Sequence, residues 1–66
     1  MTVVEITARC RGEFLEMPGM RLTLPQAARF LGIDTDTCER ALEQLVGTGF
    51  LRKTGTAYMR SGVVRD

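Results

Sequence analysis

Cys10 and Cys38, together with the carboxylates Glu39 and Glu43 one helical turn apart, are the side chains of this sequence with the most reactive chemistry. Two thiols could form a disulfide or a redox pair, and two carboxylates could share acid–base work. Neither reading finds supporting residues. The chain has no histidine, hence no His-based dyad and no ordinary zinc set. It also lacks a glycine-rich phosphate loop and a nucleophile elbow. Each cysteine falls on the apolar stripe of a predicted helix and reads as a small core residue. The glutamate pair reads as a solvated helix face. No catalysis, cofactor or metal is expected. What remains is a basic group near the C-terminus, Arg52, Lys53 and Arg60, spread around Gly55. It reads either as a contact for an anionic partner or as a charged edge that deters strand aggregation.

Size and composition narrow the classes further. A chain of 66 residues makes one domain near the lower limit of unaided folding. Hydrophobic residues at 44% are too many for a disordered segment. No apolar run approaches the roughly 20 residues that span a bilayer. The start, MTVVEITARC, lacks the features of a secretory signal, so a cytoplasmic location without membrane contact is expected. The calculated pI is 7.8, whereas dedicated nucleic-acid domains often exceed about 9. Total charge lends nucleic-acid binding no help; only its distribution could.

The elements that position these side chains follow from spacing. Val3, Ile6, Thr7, Cys10, Phe14 and Met17 recur at helical intervals and predict a first helix over 3–17, weakened by Gly12 and ended by Pro18-Gly19. Met20 to Thr23 reads as a short extended segment with Leu22 turned inward. Thr23 and Gln26 have the spacing of a capping box, with Pro25 in the first turn, which starts a second helix at about Leu24. That helix ends at Leu31, burying Leu24, Ala27, Ala28 and Leu31, with Gly32 closing it and Ile33 plugging the turn. Asp34 then caps a third helix over 35–47, whose inward stripe is Cys38, Ala41, Leu42, Leu45 and Val46. Small Ala28 and flexible Gly32 suit two helices that cross steeply over a tight turn, a helix-turn-helix over about 23–48. Phe50–Thr54 and Thr56–Arg60 predict two short strands around Gly55, a hairpin over about 50–60, and the tail from Val63 to Asp66 is expected to fray. The methionines at 17, 20 and 59 read as core fillers. The fold class is therefore mainly α with a small β-hairpin, in the order α-β-α-α-β-β.

That order, together with Gln26, Ala27, Ala28, Leu31, Gly32, Ile33, Cys38, Ala41 and Leu42 and the run Gly49-Phe50-Leu51-Arg52-Lys53, resembles the winged helix-turn-helix DNA-binding domains of bacterial transcription regulators. The resemblance covers about residues 22–60. It implies that the third helix lies in the major groove and that the hairpin, or wing, touches backbone. Carried over by position, Arg40 would face guanine, Gln44 adenine, and Thr35 and Asp36 would stand at the helix start beside the DNA. Arg52, Lys53 and Arg60 would contact phosphates. The chain departs from the pattern in placing Asp36, Glu39 and Glu43 around the single arginine of that face. The partner implied is double-stranded DNA; the alternative is a protein-interaction module whose acidic third helix docks a basic partner. Val3, Val4, Ile6 and Leu15 exceed what a small core covers, so the first helix either leaves some apolar residues exposed or pairs two copies as a homodimer. Arg9 and Arg11 read as solvent-facing charges.

Overall fold

The first helix, α1 (Val3–Glu16), starts at Thr2, whose hydroxyl accepts from the Glu5 amide at 3.1 Å while the Glu5 carboxylate accepts from the Thr2 amide at 2.9 Å. This is a capping box, and it satisfies two donors that a helix start otherwise leaves orphaned. The computed structural model describes residues 2–61; the expected fraying tail lies outside them. After α1 come β1 (Arg21–Thr23), α2 (Leu24–Leu31), α3 (Thr35–Gly47), β2 (Leu51–Thr54) and β3 (Ala57–Arg60). The architecture is α+β, three helices on a three-stranded antiparallel sheet in the order β1-β3-β2.

The sheet is larger than the hairpin expected from sequence. Arg21, Leu22 and Thr23 pair with Met59, Tyr58 and Ala57, so the short extended segment becomes an edge strand beside β3. The hairpin strands are each shorter at one end than expected, because Phe50 belongs to the helix end before β2 and Thr56 to the Gly55-Thr56 turn. In the first helix the spacing also misplaces Met17. Its backbone leaves helical geometry (φ −128°, ψ 77°), so the 3.6-residue period no longer aims it inward and it is 44% exposed. Met20 takes the place against the core instead.

α2 starts where the sequence places it, with Thr23 and Gln26 completing a second capping box. Asp34 caps α3 through the Thr37 amide at 2.8 Å. Its carboxyl is held below the usual carboxylate range, first by that amide and then by the Thr37 hydroxyl. α2 and α3 then end in the same way. Gly32 turns left-handed (φ 71°), its amide reaching Arg29 and the Ile33 amide reaching Ala28. Gly49 does likewise (φ 86°), its amide on Val46 and the Phe50 amide on Leu45, each at 3.0 Å. Both are Schellman endings, which tuck the next apolar residue back onto the helix. Ile33 and Phe50 accordingly pack on the core.

That core joins one face of each helix to the sheet. Ile6, Cys10 and Phe14 of α1 meet Cys38, Leu42 and Leu45 of α3, and Leu51 and Tyr58 close it from below. Ala27 and Ala28 are buried where α2 meets α3, as the small side chains lead one to expect. Leu24 is only half buried. Both cysteines are free and buried. Burial pushes the Cys10 thiol up to about 12, with the neighbouring Cys38 adding to the rise, so both are neutral core side chains.

A pair of glycine substitutions separates backbone conformation from contact. An added Cβ meets nothing within 4 Å at either Gly12 or Gly32. Gly32→Ala is expected to destabilise by about 1–2 kcal/mol through its left-handed backbone. Gly12→Ala, inside α1, is expected to stabilise by about 0.5–1 kcal/mol. Urea denaturation of the two variants checks both signs.

Candidate functional site

One face of α3 is committed to the core, and the other is open. Thr35, Asp36, Glu39, Arg40, Glu43 and Gln44 are all exposed. At 3.6 residues per turn, Glu39 and Glu43 share one flank of that face and Arg40 and Gln44 the other, with Asp36 between them. Glu39 and Glu43 stand on the side of the hairpin, and Asp36 remains one turn before Arg40.

Tyr58 fixes that arrangement. It is the largest fully buried side chain, and its hydroxyl donates to Glu43 Oε2 at 3.1 Å. A buried tyrosine needs such a partner for its polar tip. Burial first, then the Glu43 hydrogen bond and the charges of Glu43 and Glu39, push the phenol up to about 12. The Lys53 ammonium sits over the same ring, 5.5 Å from its centroid. Lys53 and Glu39 thus line a common hollow of about 420 Å³ between α3 and the hairpin, with Leu24, Pro25 and Tyr58 among its walls.

Strand alternation puts Arg52 on the face opposite Lys53, while Arg60 shares the Lys53 face and is separated from it by its place along the strand. Lys53 pairs with Tyr58 and shares its face, toward α3. Arg52 pairs with Met59 on the opposite face and is exposed. Arg60 pairs with Leu51 at the base of the hairpin, the end away from the turn, and lies half buried with its guanidinium over Phe50. Arg11 is exposed as expected but also reaches the Phe50 ring. Arg40 lies near the N-cap and adds slightly to the lowering of the Asp34 carboxyl.

The structure therefore brings Glu39, Glu43, Lys53 and Tyr58 together, leaves Arg40 and Gln44 side by side on the free flank, and sets Arg52 and Arg60 apart. Tyr58 is the residue that sequence reasoning missed. Its signal is an aromatic two residues before Arg60 in a predicted hairpin strand whose register no local feature sets. Among the described residues, no helix is long and apolar enough to cross a membrane, and no group of three or more His, Cys, Asp or Glu could hold a metal ion. Compared with protein-family models, curated proteins and solved structures, the chain finds no match.

Tyr58 is the only tyrosine and there is no tryptophan, so its ionisation can be followed directly. The phenolate absorbance of the folded protein is expected to rise near pH 12 rather than near the ordinary value of 10.0. A phenol raised on folding stabilises fully below its unfolded value and stops doing so as pH climbs through the folded one. Thermal stability should therefore decline between these values. Tyr58→Phe removes part of that decline, the rest belonging to the buried Cys10 and Cys38 thiols, which burial also raises, and costs about 1 kcal/mol at neutral pH.

Proposed function

We propose that this chain is a winged helix-turn-helix domain that binds duplex DNA, with α3 as the reading helix and the β2–β3 hairpin as its wing. The observation that carries this reading is the fully exposed outer face of α3 beside a hairpin that presents Lys53 and Arg52. An α-helix held by one face and open on the other is the element that fits a major groove. Arg40 and Gln44, adjacent on the flank away from Glu39 and Glu43, are the side chains suited to guanine and adenine edges. Thr35 and Asp36 sit at the amino end of α3, where backbone amides suit a phosphate. Lys53 and Arg52 are the backbone contacts on the wing. Arg60, at the base of the hairpin and stacked on Phe50, is left out of this set. Transcriptional regulation is the role such a domain serves.

The single domain has few cations on this surface, and phosphate neutralisation supplies most nonspecific affinity. Pairing of two copies would double them. α1 supports this: Val4 is 76% exposed and Leu15 46%. With the exposed Ala8 they form a second stripe on the side of α1 away from the core. Antiparallel pairing sets Val4 of each copy against Leu15 of the other, as a two-fold interface requires.

A second reading rests on the charge of α3. Asp36, Glu39 and Glu43 outnumber Arg40 on its open face, which suits docking of a basic protein.

Fluorescence anisotropy of labelled duplex DNA at two salt concentrations separates the readings. DNA binding predicts affinity that falls steeply with salt, and Lys53→Ala should lower the salt slope by about 1. Arg40→Ala should cost about 1–3 kcal/mol on a selected site and little on random sequence. Absence of binding at low salt turns the assignment to the protein-docking reading.

A further inference from the structure

Two guanidinium groups from distant parts of the chain meet on one aromatic ring. Arg11 projects from α1 and Arg60 ends β3, and each Cζ lies 4.9 Å from the Phe50 centroid. The ring is firmly held. The Phe50 amide donates to the Leu45 carbonyl at the end of α3, and its own carbonyl accepts from the Ser61 amide, both at 3.0 Å. Nε of Arg60 is buried yet has no hydrogen-bond partner among the described residues. Next to the ring opens a hollow of about 520 Å³ walled by Thr7, Arg11, Leu45, Thr48, Gly49 and Phe50.

This corner is costly as it stands. The two guanidinium carbons can be no further apart than twice 4.9 Å, within about one Debye length at 0.1 M salt. A buried donor without an acceptor carries a desolvation penalty, and such an orphan in a folded protein calls for a partner. Stacking on Phe50 offsets some of this but accepts no hydrogen bond. The threonines offer no donors, since Thr7 already donates to the Val3 carbonyl at 2.7 Å and Thr48 to the Leu45 carbonyl at 3.0 Å. The binding chemistry of this corner is therefore that of its guanidinium groups.

We propose that Arg11 and Arg60, carried on Phe50, form a binding site for a phosphate group. Two cations match the charge of roughly two on a phosphomonoester better than the single charge of a carboxylate. Two guanidinium forks approaching from separate elements suit different oxygens of a tetrahedral anion. The site lies at the base of the hairpin and on the α1 side of α3. It shares no residue with the set assigned to DNA above, so either assignment can fail without the other. The same chemistry has two sources, a free phosphate-bearing molecule or a phosphate of a nucleic-acid backbone.

The test follows the arginine Nε–Hε resonances of the isotopically labelled full chain while inorganic phosphate is added at constant ionic strength. Those of Arg11 and Arg60 are expected to move together and to saturate, while those of Arg29 and Arg52 stay in place. Arg11→Gln and Arg60→Lys are each expected to weaken the phosphate response roughly tenfold or more. A parallel titration with a short duplex distinguishes the sources. Saturation by inorganic phosphate assigns a free phosphate ligand. A response of Arg11 and Arg60 to the duplex alone assigns a backbone phosphate. No saturating response of the pair to either, or an equal drift of every arginine, overturns the proposal. Because these resonances are followed on the unmodified chain, that outcome does not depend on how the variants fold.

Discussion

The left-handed step at Gly32, repeated at Gly49, is the constraint on which the arrangement rests. Each step stops a helix, satisfies its last carbonyls and throws the following apolar residue back onto the core. The first gives α3 its direction relative to α2. The second delivers Phe50 to the end of α3 and starts β2 immediately beyond it. Between them α3 is pinned at both ends and along one face by Cys38, Leu42 and Leu45. Its remaining face is exposed, with only Glu43, among the described residues, tied back to the sheet. The open helix face of this chain is thus a by-product of how its helices stop.

Charge on that surface is sorted rather than mixed. The stripe that buries Cys38, Ala41, Leu42 and Leu45 leaves Glu39 and Glu43 on one side and Arg40 and Gln44 on the other. Tyr58 then reaches up from the sheet and takes Glu43 as its acceptor, while Lys53 crosses the same ring. The carboxylates thereby acquire a role in holding the hairpin against α3. This bears on the chief objection to DNA binding, that three acids stand around one arginine. On the proposed reading, two of the three face the wing and its lysine, and the Arg40–Gln44 flank is the one offered to base edges. Acidic side chains next to a groove also penalise loosely aligned binding, so they favour specificity at the expense of affinity.

How far the sequence revealed this depends on whether the signal was local. The bounds of α2 and α3 were legible because their caps are: Thr23 with Gln26 at one start, Asp34 at the other, and glycines at the ends. The Thr2–Glu5 box follows the same spacing and could have been read too. β1 was harder. Three residues carry little pattern, and their strand character comes from pairing with β3, more than thirty residues downstream. The placing of Arg52 on the face opposite Lys53, and of Arg60 at the base of the hairpin, follows from register, which no local feature sets. Met17 failed for the opposite reason: the helical period was extrapolated one residue past the point where the backbone leaves it. The Tyr58–Glu43 bond and the meeting of Arg11 with Arg60 are both tertiary, and composition held no trace of either.

A chain this small can bury little, and five of the twelve buried apolar residues among those described are small: Ala27, Ala28, Ala41, Cys10 and Cys38. Such side chains let helices approach closely but remove little apolar area from water. The same economy explains what stays outside, because three helices on a three-stranded sheet offer α1 only one face to cover. Val4 and Leu15 on its far side, and Phe30 at 48% exposure on α2, represent apolar area that the monomer cannot use. Any partner that covers these residues, or any anion that settles on Arg11 and Arg60, binds the folded state alone and so raises its stability. Small size would thus couple any such binding to folding, because a core this limited leaves apolar and charged groups at the surface.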